Sequence, residues 1–130
     1  MTFDDAVQHF FLATTDTGPL FEGIGAVNGG GATSVLLKDY PEPQRSQILD
    51  LVFAPKFGAS VSTMLVEVPG DGNATQGSMP SHAHTREDLN HRRGYMAWVM
   101  KEAKRRHPDL TLDATAWSAP GWVGGGSFWS

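Results

Sequence analysis

The hydrophobic pattern changes period several times along the chain, and glycine and proline clusters mark each change. Phe21 to Val27 (FEGIGAV) is a short apolar run that predicts a buried strand, ending in the loop Asn28-Gly29-Gly30-Gly31. A helical pattern follows, interrupted by Pro41 and Pro43. Its second part, from Gln44 to about Ala54, puts Ile48, Leu51 and Val52 on one face, with Leu49 and Phe53 beside them. Pro43 is tolerated in the first turn, where its missing N–H has no partner to lose, and Pro55 stops the helix. Ala59 to Val68 (ASVSTMLVEV) is rich in β-branched residues and predicts a second strand, ended by Pro69-Gly70-Asp71-Gly72. A polar, glycine-rich loop then runs to Pro80. From Thr85 the pattern predicts another helix. Thr85 with Asp88 resembles a capping box, and Leu89, Met96, Met100 and Ala103 form one stripe. Lys101, Lys104, Arg105 and Arg106 load the last turns, where cations suit the helix dipole, and Pro108 ends the pattern. Leu110 to Ala116 predicts a third strand, from which Trp117-Ser118-Ala119-Pro120-Gly121-Trp122 turns away.

The order strand, helix, strand, helix, strand argues for the α/β class with a parallel sheet. It suits a doubly wound sheet or an opened (β/α) barrel equally. A complete barrel takes ~250 residues, so a chain of 130 residues holds about half of one. Residues 1–20 show no clear period, and Asp16-Thr17-Gly18-Pro19 reads as a turn.

Composition narrows the function classes. Lys+Arg is 10 against Asp+Glu 14, a net charge of −4, so the basic footprint of a nucleic-acid binder is missing. A hydrophobic fraction of 40% excludes a disordered chain. The absence of cysteine excludes disulfides, thiolate zinc sites and a cysteine nucleophile. No apolar run approaches the ~20 residues of a membrane span. The opening MTFDDAVQHFFLATTD has no basic region and carries Asp4 and Asp5 ahead of its apolar part, so it does not read as a signal peptide. The basic cluster at 101–106 reads as a solvated helix end.

Several motifs fail on inspection. Gly23-Ile-Gly25-Ala-Val-Asn28-Gly29 invites a dinucleotide reading, but Asn28 stands where the third glycine belongs. No Gly-Lys-Ser/Thr phosphate loop occurs. His82, His84 and His91 lack a fixed third ligand at zinc spacing and read as loop histidines. Asp71-Gly-Asn73-Ala-Thr75 starts like a calcium loop, then places Gln76 at the turn glycine and His82 at the bidentate glutamate. Asn73-Ala74-Thr75 is also a glycosylation sequon, meaningful only in a secretory pathway. Neither cofactor nor metal is expected. The tryptophans are more informative. Trp117 and Trp122 flank Ser-Ala-Pro-Gly just past a strand end, a place suited to walling a sugar-sized pocket.

Longer runs carry a resemblance. Phe21-Glu-Gly-Ile-Gly-Ala-Val-Asn-Gly-Gly-Gly-Ala-Thr-Ser34 closely resembles the first strand and loop of the galactocerebrosidase family, glycoside hydrolase family 59. Tyr40-Pro-Glu-Pro, Arg45-Ser-Gln-Ile-Leu-Asp50, Phe57-Gly-Ala-Ser60, Gly70-Asp-Gly72, Pro80-Ser-His82, Arg93-Gly-Tyr95, Met100-Lys-Glu-Ala-Lys104 and Pro120-Gly-Trp122 extend it to about Trp129. Residues 1–20 stand outside and are left unassigned. The resemblance implies a partial (β/α)8 TIM barrel, with the first three β-strands and two connecting helices lying in 21–130. It implies a retaining β-galactosidase acting on galactosylceramide-type glycosphingolipids, lysosomal or secreted, with two glutamates ~5–5.5 Å apart. The family's acid/base glutamate follows an asparagine on the fourth strand and its nucleophile sits on the seventh, while no Asn-Glu pair occurs in this sequence. The chain is therefore expected to be a truncated piece without a catalytic residue, inactive alone and prone to self-association. Glu67 is the nearest candidate for a barrel-lining carboxylate and is not assigned to catalysis. Two matched positions carry over as sugar contacts, Thr75 and Trp117. A glucosylceramidase-like glycosidase or a non-catalytic sugar-binding remnant are the other readings. In a barrel, Asn28, Thr75 and Trp117 should share the mouth at the strands' C-terminal ends, with Phe57 and Pro108 at the opposite end.

Overall fold

The computed structural model describes residues 9–13, 15, 18–29, 36–74 and 79–123. They form β1 (Ile24–Asn28), α1 (Leu36–Asp39), α2 (Gln44–Phe53), β2 (Val61–Val68), α3 (Met96–Arg106) and β3 (Thr111–Ala116). The strands make one sheet in the order β1-β2-β3, with both pairings parallel. The α/β class and the three parallel strands are as expected from the alternating pattern.

The register fixes what each face of the sheet carries. Ala26, Met64 and Leu112 stand side by side, as do Asn28, Val66 and Ala114. This row faces the helices, because Met64 and Val66 are buried in one cluster with Leu49 and Phe53 of α2 and Met96, Val99 and Ala103 of α3. Tyr95, Met79 and Leu110 complete that cluster from the connecting segments. The alternate row places Val27 beside Leu65 and Asp113, and Glu67 beside Thr115. No described helix covers it, and Val27 is 65% exposed. One face of the sheet is thus packed and the other open.

That openness corrects the first strand. It starts at Ile24, not Phe21, and it is exposed rather than buried. Among the described residues β1 has one neighbour and no covering layer on its open face, so apolar composition alone could not bury it. α2 ends where Pro55 predicts, and Glu42 supports its start by accepting the Ser46 N–H at 3.2 Å. Its buried stripe is Leu49 and Phe53, spaced i, i+4, while Leu51 is half exposed.

The second long helix is shorter than the sequence predicts. The Thr85 hydroxyl does accept the Asp88 N–H at 3.2 Å, but the motif caps an isolated turn. Gly94 adopts φ +76°, a left-handed conformation that interrupts right-handed helix, and α3 begins only at Met96. Leu89 therefore lies outside the helix and is exposed, and Val99 takes its place in the stripe. The basic cluster also needs correcting at one residue. The Arg106 side chain is only 4% exposed and binds Asp50 of α2 through Nε at 2.6 Å, together with Glu102 through Nη1. A long aliphatic stem lets a guanidinium cross apolar surface to reach carboxylates at its edge, and here it locks α3 to α2. His107 then ties the end of α3 to the start of β2, its Nδ1 lying 3.0 Å from the Val61 carbonyl.

Candidate functional site

Parallel strands place their C-terminal ends together, so the segments after β1, β2 and β3 meet at one end of the sheet. The segments after β2 and β3 are stitched closely. The Trp117 N–H donates to the Val68 carbonyl at 2.9 Å, and the Asp71 N–H to the Ala119 carbonyl at 3.1 Å. The Asn73 N–H donates to the Ser118 hydroxyl at 3.0 Å. Asp71 closes the seam from the side. One carboxylate oxygen accepts the Gly121 N–H, and the other meets His84. The Gly121 N–H, with help from His84, holds the Asp71 carboxyl below the usual carboxylate range. Gly70 is required where the two segments cross. A Cβ there would stand 2.2 Å from the Ser118 carbonyl oxygen and 2.3 Å from that of Ala119.

This seam forms the floor of a cleft of about 770 Å³. Trp117, Pro69, Leu89 and Pro120 give it apolar walls, and His82 and His91 add two imidazoles. Trp117 is 40% exposed, so it lines the cleft at the strand end instead of plugging the layer between helices and sheet. Trp122 is used differently from its partner in the sequence motif. Its Nε1 donates to the Ala83 carbonyl at 3.3 Å, and Arg86 stacks on its ring 4.8 Å from the centroid. It fastens the 81–90 segment over the β3 end.

The histidines separate. His84 turns to Asp71, whereas the His82 and His91 rings meet edge to face, 6.2 Å between centroids. Among the described residues no group of three metal-ligating side chains forms. Burial lowers the His82 pKa from the ordinary imidazole value, a hydrogen bond with the Arg93 backbone works in the other direction, and His91 and Arg93 add a small further depression.

The expected mouth is assembled only in part. Asn28 lies at the same end as Trp117, but strand alternation turns its amide toward the helices, where Nδ2 meets the Met96 sulfur at 3.3 Å. Thr75 lies outside the described residues. Phe57 and Pro108 precede β2 and β3 and so fall at the opposite end. Glu67 is on the open face near the mouth and only 8% exposed, and a Cβ on Gly29 would come within 3.1 Å of its Oε1. The loop after β1 is held there by the buried Tyr95, whose hydroxyl donates to the Gly29 carbonyl at 2.9 Å. His82, His91 and Leu89 were not singled out as parts of a shared cleft by the sequence. The histidines were signalled by their spacing and read as loop positions, and Leu89 was read as part of a helical stripe.

A parallel α/β unit with an aromatic-walled cleft at its strands' C-terminal ends has the build of an enzyme or binding domain whose ligand sits at that end. A solved endo-beta1,6-glucanase shares the fold, with a TM-score of 0.59 at 20% identity over 78% of this chain and 22% of that one. The model of glycosyl hydrolase family 59 matches residues 21–130, and the chain belongs to that family. It is 59% identical to the galactocerebrosidase of Homo sapiens over 109 residues, and 58% identical to that of Mus musculus over the same length. In both cases the match covers 84% of this chain and 16% of the relative, so the chain spans about a sixth of the length of these relatives.

Proposed function

We propose that residues 21–130 form the first three strands of a (β/α)8 barrel in a retaining β-galactosidase acting on galactosylceramide-type glycosphingolipids. Residues 1–20 are left unassigned. The chain contributes one wall of the sugar pocket. Trp117 offers an apolar ring surface to the sugar, and Thr75 hydrogen-bonds one of its hydroxyls. The acid/base and nucleophile glutamates come from further strands, so this chain carries no catalytic residue.

The observation that carries the proposal is the position of Trp117. It immediately follows β3, is 40% exposed, and walls the cleft at the end of the sheet where barrel enzymes build their sites. The test is a titration of the sparsely surface-tethered chain with octyl β-D-galactoside. Saturable binding that weakens at least roughly fivefold in Trp117→Ala is expected, since an aromatic contact is worth ~0.5–1.5 kcal/mol beyond its buried area. Binding unaffected by Trp117→Ala, or release of nitrophenol from nitrophenyl β-D-galactoside by the chain alone, refutes the reading.

A further inference from the structure

We propose that Leu89 determines aglycone specificity in the Trp117 cleft, where its side chain receives the alkyl chain that an uncharged glycoside carries beyond its sugar. The inference rests on the glycoside reading of the cleft and assigns to one residue the part of the ligand that Trp117 does not hold. Leu89 has no place in the core. It is 62% exposed and lies outside every described helix and strand, yet it lines the same cleft as Trp117. A ligand seated there can therefore reach it and cover it.

A single exposed leucine is ordinary on a protein surface. What sets Leu89 apart is the bracing of the segment that carries it. Leu89 pairs with Ala83 in an isolated antiparallel bridge, and the neighbouring Asn90 N–H donates to the His82 carbonyl at 2.7 Å. The Asp88 N–H donates to the Thr85 hydroxyl at 3.2 Å. Arg93 clamps the base of the segment, reaching the Ser81 carbonyl at 2.6 Å and the Asp88 carboxylate at 2.7 Å. The Trp122 indole N–H ties Ala83 to the β3 end at 3.3 Å. Hydrogen bonds thus hold the backbone on both sides of Leu89. The side chain is presented to the cleft at a set place, and it is kept from folding back onto the core.

Size and charge identify the occupant. At about 770 Å³ the cleft lies in the upper part of the ~300–1,000 Å³ range of small-molecule sites, more room than one hexose fills. Among the described residues that line it there is no carboxylate, ammonium or guanidinium. The Arg93 and Arg86 guanidiniums of the same segment are turned to Asp88 and to the Trp122 ring. A charged aglycone would lose its water without gaining a counter-charge. An alkyl chain gains by covering Leu89, Pro69 and Pro120, because burial of apolar surface is favourable on both sides of the contact.

The test measures the affinity of the sparsely surface-tethered full chain for methyl, butyl, hexyl and octyl β-D-galactoside, each below its micelle concentration. Affinity should rise roughly threefold per methylene over the first additions. Leu89→Asn should cut the octyl-to-methyl affinity ratio about tenfold and leave methyl β-D-galactoside within about twofold, while Leu89→Met keeps the ratio. Val27→Lys, on the open face of the sheet, should leave the ratio unchanged, and Trp117→Ala should weaken the whole series together. A ratio unchanged in Leu89→Asn, or lost in Val27→Lys, overturns the proposal, and Trp117-dependent binding of the methyl glycoside then leaves the glycoside reading standing. Binding of no member of the series, or binding indifferent to Trp117→Ala, overturns both. Should Leu89→Asn fail to fold, Leu89→Ala reads the same ratio.

Discussion

Gly70→Ala is the sharpest perturbation of the site. The new methyl would sit 2.2 Å from the Ser118 carbonyl oxygen and 2.3 Å from that of Ala119. Both obstacles are backbone atoms, so no rotamer change relieves them and the β2 and β3 segments must part. Three hydrogen bonds depend on their closeness: Asp71 to Ala119, Asn73 to Ser118, and Gly121 to Asp71. At about 1 kcal/mol for each bond lost, the seam loses roughly 3 kcal/mol, a large fraction of the 5–15 kcal/mol that holds a domain together. Trp117, whose N–H is bonded to Val68 just upstream of Gly70, loses its position with the seam. Gly121→Ala is the control. Its Cβ would meet only the Asp71 side chain, at 3.2 Å, and a side chain can move a few tenths of an ångström. Amide hydrogen exchange read by mass spectrometry suits the comparison. Gly70→Ala should accelerate exchange across 69–73 and 117–121 by roughly a hundredfold and abolish galactoside binding, while Gly121→Ala changes exchange by less than tenfold. Equal, near-native protection in the two variants would refute the argument.

Other consequences are equally open to measurement. Replacing Asp50 and Glu102 together by alanine should destabilise more than Arg106→Met, by about 2 kcal/mol in urea unfolding. The first leaves a guanidinium with a 4% exposed side chain without counter-charges, whereas the second frees two carboxylates that water can reach. Acid should loosen the cleft. The folded state lowers the Asp71 pKa, so its contribution is complete above the ordinary carboxylate value of ~3.9 and disappears as pH falls through the lower folded value. Exchange at the Gly121 amide should rise over that window in the native chain but not in Asp71→Asn. The open face, with Val27 65% exposed beside Leu65, and the free edges of β1 and β3 should make the isolated chain self-associate. Light scattering should show oligomers that Val27→Lys reduces, and a monodisperse monomer would count against this.

The sequence by itself determined the element order and therefore the parallel sheet. Pro55 and Pro108 ended helices because proline cannot continue them, and the β-branched run before Val68 made the central strand. The strand-end position of Trp117 followed from the same local signals. Tertiary structure decided the matters that local preference leaves open. Thr85 made its capping bond without starting a helix, because Gly94 adopts a left-handed turn that no periodicity announces. Phe21 to Val27 read as buried, yet burial belongs to the layer that covers a strand and not to the strand. Arg106 read as one of four solvated cations until Asp50, 56 residues away, came within reach of its guanidinium. His82, His84 and His91 looked like one group, and packing divided it. A carboxylate on the β2 loop claimed His84, while burial and His91 fixed His82 in the wall beside Trp117. Spacing along a chain constrains neighbours within a turn or a strand, and only the folded path sets which distant groups share a dielectric, a partner and a cleft.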